Sequence, residues 1–453
     1  MTTTLGYNTE NLIAQDIAHV LHPITNLHRH ARVGPLVLER GEGVYLWDTN
    51  GKRYLDGFAG LWNINVGHGR KVLAEAARQQ IERVAFVPTF FGLASPPTIE
   101  LATKLAQMIP GNIKHFQFTS GGAESNETAI KIARYTWALR GQPERVKILS
   151  RQMAYHGIAN ASLAATGIPA YHKDFGPLTP GFVYLTAPYP YRNGAGLSDA
   201  EFVAKLAQEL EEVIEREGAG TIAAMIGEPV QGAGGVVVPP QTYWQAIEPI
   251  LKKHNILLIA DEVITGFGRT GQMFGCETYG FQPDIISLAK GITSGYVPLG
   301  AVGISDEIFQ TMIEPDRMFM HGFTYSGHPV ACAVALENIR LIEAEGLPQN
   351  AGARGTQLLD GLKHLEQSHP NVGNVRGKGL MTLIEVVQDK DSKKGFDPSA
   401  GIGGKLQAAT RKRGLLARCN DTGFAFAPPL IISSTQIDEI ISIVHDALDE
   451  VFA

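Results

Sequence analysis

Lys290 and Asp261 are the two side chains whose placement points most directly to chemistry. Lys290 follows an apolar run, Asp284-Ile-Ile-Ser-Leu-Ala289, and Asp261 closes another, Ile256-Leu-Leu-Ile-Ala-Asp261. Both runs have the length and β-branched content of buried strands. A lysine and an aspartate presented from two such strand ends are the pair a pyridoxal phosphate enzyme requires. The lysine holds the cofactor aldehyde as a Schiff base, and the aspartate keeps the pyridine nitrogen protonated so that the ring draws electrons from a carbanion. A carboxylate at the end of an unbroken apolar run calls for a cationic partner, and a pyridinium is one. At about 4 Å and an effective dielectric near 20 that attraction is roughly 4 kcal/mol before desolvation. Partial burial and nearby positive charge lower the pKa of Lys290, which makes it a nucleophile and a base for moving a proton at the substrate carbon.

Three further motifs gain meaning beside that pair. Ser120-Gly-Gly-Ala-Glu-Ser-Asn-Glu127 follows a predicted strand (115–119) and opens a predicted helix running to about residue 140. Small residues there let backbone N–H groups of Gly122 and Ala123 approach a phosphate at a helix N-terminus. Tyr155-His156-Gly157 supplies an aromatic suited to stacking on a flat heterocycle. Glu228, at the end of a third strand, can hydrogen-bond a ring substituent or orient a neighbour.

Two motifs point elsewhere and are set aside. Gly266-Phe-Gly-Arg-Thr-Gly271 matches the dinucleotide fingerprint G-x-G-x-x-G, but the strand before it ends at Asp261 and the residues after it make a poor helix. His321 and His328 lack a further His or carboxylate pair at ligand spacing, and Cys276, Cys332 and Cys419 are too scattered for a zinc site or a disulfide framework. No metal site is expected.

The elements that carry these residues follow from periodicity. Residues 43–58 read as two short strands around the Asn50-Gly51 turn. From about residue 70, helices alternate with apolar runs at 146–150, 221–228, 256–261, 284–289 and 300–305, which predicts an α/β fold with a mainly parallel, helix-covered sheet. A helix is predicted over 329–345, a strand over 378–387, and a final helix with Thr435–Asp438 as its capping box and Ile437, Ile440, Ile441, Val444 and Leu448 on one face. At 453 residues the chain exceeds the roughly 250–300 at which single cores stop growing, so two domains are expected. A large domain takes residues 66–335, and a smaller α+β domain is formed by both chain ends, 1–65 and 336–453.

Formal net charge of −6 and a pI near 6.2 give no broad basic field, so nucleic acid is not an expected partner. No run approaches about 18 apolar residues, and the N-terminal stretch lacks the basic-then-apolar order of a secretory signal. A cytoplasmic protein without membrane contact is expected.

Taken together, Asp261-Glu-Val-Ile-Thr-Gly-Phe-Gly-Arg-Thr-Gly271, Lys290, Tyr155-His-Gly157 and His321-Gly-Phe-Thr-Tyr-Ser-Gly-His-Pro329 resemble the class III aminotransferases of the fold-type I pyridoxal phosphate enzymes, over almost the whole chain. The resemblance implies that Asp261 pairs with the pyridine nitrogen, Val263 and Tyr155 pack on opposite ring faces, and Lys290 is the Schiff-base lysine. It also implies a homodimer, or a dimer of dimers, with active sites at the interface and Thr324 reaching the phosphate of the neighbouring subunit. Many relatives read Ser-Gly-Ser where this chain has Gly121-Gly122-Ala123, so hydroxyl contacts to the phosphate are lost here.

Within that family, relatives acting on ornithine or γ-aminobutyrate carry a glutamate at the position of Ala233, paired with an arginine that matches Arg418. Alanine cannot restrain that arginine, whose planar fork suits a carboxylate such as that of pyruvate. This arrangement resembles the amine–pyruvate or ω-transaminases, in which the positions of Trp62 and Phe90 line the substrate pocket. The implied reaction moves an amino group from a primary amine, diamine or ω-amino acid to a 2-oxo acid, pyruvate, giving L-alanine and an aldehyde or ketone. An aminomutase or decarboxylase would use the same cofactor and fold, and a non-catalytic pyridoxal phosphate-binding scaffold is the reading from another class.

Overall fold

The computed structural model describes residues 6–315 and 317–453; the first five residues of the N-terminal stretch read for a secretory signal lie outside the described residues. Its strands are β1 (Leu38–Glu42), β2 (Tyr45–Asp48), β3 (Arg53–Asp56), β4 (Ile113–Thr119), β5 (Lys147–Arg151), β6 (Phe182–Leu185), β7 (Ile222–Gly227), β8 (Leu257–Asp261), β9 (Ile285–Leu288), β10 (Gly300–Ser305), β11 (Val372–Gly377), β12 (Thr382–Val386), β13 (Leu415–Leu416), β14 (Arg418–Asn420) and β15 (Gly423–Phe426).

The central sheet has the order β4-β10-β9-β8-β7-β5-β6. Every residue of β7, β8, β9 and β10 is buried, so these strands must be apolar on both faces and lie between helices. Pairing is parallel from β6 through β5, β7 and β8 to β9, and antiparallel where β10 joins β9 and β4. The predicted parallel sheet therefore carries an antiparallel edge. The helix Gly122–Leu139 packs over this sheet and follows β4 directly.

A second sheet, β1-β2-β3-β13, joins sequence from opposite ends of the chain. Its β2–β3 hairpin turns at Asn50-Gly51 as predicted, with Trp47 opposite Arg53. β13 pairs in parallel with β3, which brings Leu415 beside Leu55 and carries Arg418 toward the centre of the molecule. β1 was not anticipated, because Leu38-Glu-Arg-Gly-Glu42 lacks the apolar alternation that marks a half-buried strand.

The third sheet is β11-β12-β15-β14. The strand predicted over 378–387 is shorter, since Lys378–Met381 forms a turn closed by a Lys378 N–H to Met381 C=O bond of 2.9 Å. The helix predicted from Pro329 ends at Ala344. The last helix spans Ser434–Phe452, and its capping box is Ser433 with Gln436 rather than Thr435 with Asp438. Gln436 Oε1 accepts from the Ser433 N–H at 2.9 Å, a reciprocity that the shorter aspartate side chain is less suited to make. Ile437, Ile440, Val444 and Leu448 are buried on one face of that helix, and Ile441 lies at its half-buried margin. Among the described residues no helix is long and apolar enough to cross a membrane.

Candidate active site

Lys290 starts a short 3₁₀ turn (Lys290–Ile292) immediately beyond β9, with φ of 46°. A left-handed backbone is uncommon for a lysine and has to be held by its surroundings. The amide of Asn338, buried in the helix Pro329–Ala344, does this by donating to the Gly291 and Ile292 carbonyls at 2.8 and 3.0 Å. Burial pushes the Lys290 amine down to about 8, with Arg418 acting in the same direction and the carboxylates of Asp261 and Glu228 opposing it.

Asp261 ends β8, the neighbour of β9, so adjacent parallel strands deliver both charged groups to the same side of the sheet. Its Oδ2 accepts from Asn126 Nδ2 at 2.7 Å and lies 2.7 Å from His156 Nδ1, while Oδ1 accepts from the Val263 N–H at 3.1 Å. All three side chains are buried. Asn126 escaped the sequence reading although it lies within the Ser120–Glu127 motif. It stands one helical turn beyond Gly122 and Ala123, on the same face, and that spacing was the available signal.

Gly122 begins its helix in close contact with Val263; a Cβ there would lie 2.8 Å from Val263 Cγ1. Glu228 is buried, and its two carboxylate oxygens accept the N–H groups of Tyr155 at 3.0 Å and Gly232 at 2.8 Å. Burial raises its pKa, with His156 and the two N–H groups opposing and Asp261 adding to the rise. Glu228 thus fixes the backbone on both sides of Tyr155 and Ala233.

These groups border one cavity of about 790 Å³. Lys290, Asp261, Gly122, Ala123, Tyr155 and His156 form its floor, joined by Glu228 and Val263. Trp62, Ala233 and Arg418 line it as well, and the Trp62 ring packs on Phe58 with centroids 4.6 Å apart. Tyr171, which the sequence gave no reason to select, also borders it, 5.4 Å from the Tyr155 ring.

Phe90 and Thr324 stand apart from the cavity of their own chain. Both are exposed, and the Phe90 ring lies 3.0 Å from where a Cβ on Gly322 would stand, so the two segments adjoin on the surface. Phe86 packs against Tyr325 and His328 beside them.

The two set-aside motifs have structural work. Arg269, inside Gly266–Gly271, is buried and donates to the Pro428 carbonyl and to Asn65 Oδ1, tying this turn to the C-terminal segment. Burial lowers its pKa to about 9. His321 Nε2 lies 2.8 Å from Thr128 Oγ1.

The family described as Aminotransferase class-III matches residues 27–448. A putrescine–pyruvate aminotransferase of Pseudomonas aeruginosa is 41% identical over 435 residues, covering 96% of this chain and 95% of its own. The chain belongs to the class III aminotransferases. A diaminobutyrate–2-oxoglutarate transaminase of Halomonas elongata is 38% identical, over 98% of this chain and 96% of its own. The crystal structure of a thermostable (S)-enantioselective omega-transaminase from Thermomicrobium roseum superposes with a TM-score of 0.98 at 67% identity, covering 99% of this chain and 100% of that one.

Class III aminotransferases depend on pyridoxal phosphate. The cavity fits that group. A buried carboxylate, Asp261, borders the cavity with Asn126 and His156 against it, and a lysine with a lowered pKa stands just beyond the neighbouring strand. The space beside Gly122 is closed to any larger residue by Val263. Trp62 and Arg418 border the same cavity as the lysine.

Proposed function

We propose that this aminotransferase moves the amino group of a primary amine, a diamine or an ω-amino acid to pyruvate, releasing L-alanine and an aldehyde or ketone. The observation that carries the reading is that Ala233 and Arg418 both line the cavity that holds Lys290. A methyl group gives the guanidinium no carboxylate to neutralise it, so Arg418 is available to a substrate carboxylate. An uncharged amine substituent then meets Trp62 instead. The names of the putrescine–pyruvate aminotransferase and the (S)-enantioselective omega-transaminase support the same class of donor.

Each site residue has a role in this reading. Bound pyridoxal phosphate supplies the electron sink for the charge left at the substrate carbon. Backbone N–H groups of Gly122 and Ala123 hold its phosphate at the helix N-terminus. Asp261, held by Asn126 and His156, keeps the pyridine nitrogen protonated. Val263 and Tyr155 bracket the ring, and Glu228 fixes the backbone of Tyr155. Lys290 would hold the aldehyde of the cofactor, and its Nζ would serve as the base that takes the proton from the amine-bearing carbon.

Thr324 and Phe90 complete the site of a second copy, so the working unit is a homodimer or a dimer of dimers. Their exposure beside Phe86 and Tyr325, away from their own cavity, supports this. The same reading divides the chain into a cofactor-binding domain over 66–335 and a smaller domain from both ends, in keeping with the pairing of β13 and β3. Free thiols at Cys276, Cys332 and Cys419 fit a cytoplasmic setting.

A donor panel of putrescine, β-alanine and an arylalkyl amine, each run with pyruvate and with 2-oxoglutarate, tests the reading. Alanine should form at least about tenfold faster than glutamate with the preferred donor. Faster glutamate formation across the panel would reject it.

A further inference from the structure

Asp16, His22 and His30 come from three consecutive segments and meet at one point. Asp16 lies on the helix Thr9–His19, His22 on the link after it, and His30 on the helix Leu27–Val33. His22 Nε2 is 3.0 and 2.9 Å from the two Asp16 oxygens, and His30 Nε2 is 2.9 Å from Oδ1. One ligand atom from each residue falls within a 4.8 Å span, and the two imidazole rings lie with centroids 4.4 Å apart. The side chains are only 20%, 30% and 10% exposed. The surrounding sequence is rich in imidazole, since His19, His22, His28 and His30 all fall within twelve residues of a chain with 14 histidines.

We propose that Asp16, His22 and His30 form a binding site for a divalent cation of the zinc class. Two imidazoles and one carboxylate are a zinc donor set, whereas calcium and magnesium require oxygen ligands throughout. Two bonds of about 2.1 Å at a tetrahedral angle separate their ligand atoms by about 3.4 Å. The present histidine-to-aspartate separations of 2.9–3.0 Å need only a small outward movement. To bind, each neutral ring presents its Nε2 lone pair to the cation, with its single ring proton on Nδ1. A fourth position is left for water.

The site has a consequence for the cavity. His22, Pro23 and Ile24 form part of its wall, as do Leu36 and Leu38. A cation bridging the helix Thr9–His19 to the helix Leu27–Val33 fixes that wall. The expectation of no metal, drawn from the cysteines and from His321 and His328, did not weigh this trio.

The test uses the holoenzyme, stripped with chelator, reloaded with zinc chloride and dialysed, with bound zinc measured by elemental analysis and affinity by competition with a chromophoric chelator. One zinc per chain is expected. His22→Ala, on the link between helices, and Asp16→Asn, which keeps an oxygen acceptor, should each weaken binding by more than about 100-fold, beyond the loss typical of an outer-shell partner. A wild-type protein that retains no zinc, or zinc retained equally by both variants, would overturn the proposal. Neither result bears on the transamination reading, which the donor panel tests separately.

Discussion

His156 Nδ1 lies 2.7 Å from Asp261 Oδ2, and both side chains are buried. The histidine therefore acts on chemistry through the aspartate, whose charge it helps to hold at the end of β8 together with Asn126. Hydrogen bonds to charged groups are worth about 1.5–3 kcal/mol each. Asn126→Ala should lower kcat by about 10- to 100-fold and weaken retention of pyridoxal phosphate, with KM for the amine changing little. Steady-state kinetics and cofactor release on dilution check both; a variant with wild-type kcat and retention would remove Asn126 from the site.

Lys290 makes a prediction about pH in the cofactor-free protein. Its ordinary pKa is 10.5, and burial lowers it to about 8 in the folded chain. Between those values the unfolded chain binds more protons than the folded one, so stability rises with pH across that window. Below about pH 8 the amine is protonated in both states and the folded protein bears the full cost of a buried ammonium. Denaturant titrations of wild-type apoenzyme and Lys290→Met, compared from pH 7 to 10.5, should show the difference between them shrinking as pH rises. A pH-independent difference would place the Lys290 amine in solvent.

How much of this was readable beforehand depends on where a residue's partners lie. Lys290 and Asp261 stood out because each charge terminates an apolar run, and burial makes such a charge expensive unless something answers it. Asn126 and Asn338 carry no such signal: an asparagine inside a helix looks like a weak helix former, and its role is set by a strand end 135 residues away for Asn126 and by a turn about 46 residues away for Asn338. The antiparallel placement of β10 was illegible for a related reason, since an all-buried strand has the same local pattern in either direction. Asp16, His22 and His30 are spaced at six and eight residues, across the link between two helices, and no single helical period brings them together. Phe90 and Thr324 were read from family likeness, and their place on the surface, away from their own cavity, has no trace in local sequence.

Ala233 allows a direct test of acceptor choice. Ala233→Glu places a carboxylate on the wall that Arg418 shares, where a charge-assisted pair would compete with the substrate carboxylate. A loss of about 1.5–3 kcal/mol in that contact corresponds to a 10- to 100-fold rise in KM for pyruvate. The KM for an uncharged arylalkyl amine should move far less, because that substrate does not need the guanidinium. Equal rises for both substrates would show that the glutamate merely obstructs the cavity.

Gly122 is a position in the site where the fold leaves little room. A Cβ there meets Val263 Cγ1 at 2.8 Å and Cγ2 at 3.1 Å, so Gly122→Ala forces either the helix start or Val263 to move. Overpacking of this kind costs about 1–3 kcal/mol. Because Val263 also donates its N–H to Asp261, the displacement reaches the carboxylate proposed to hold the ring nitrogen's proton. The expected outcome is weaker binding of pyridoxal phosphate by at least about tenfold, larger than any loss in stability of the apoenzyme. Val263→Ala in the same chain removes the obstructing methyl groups and should restore part of the affinity. Failure of that second substitution to recover any binding would mean that the glycine is required by the phosphate side rather than by Val263.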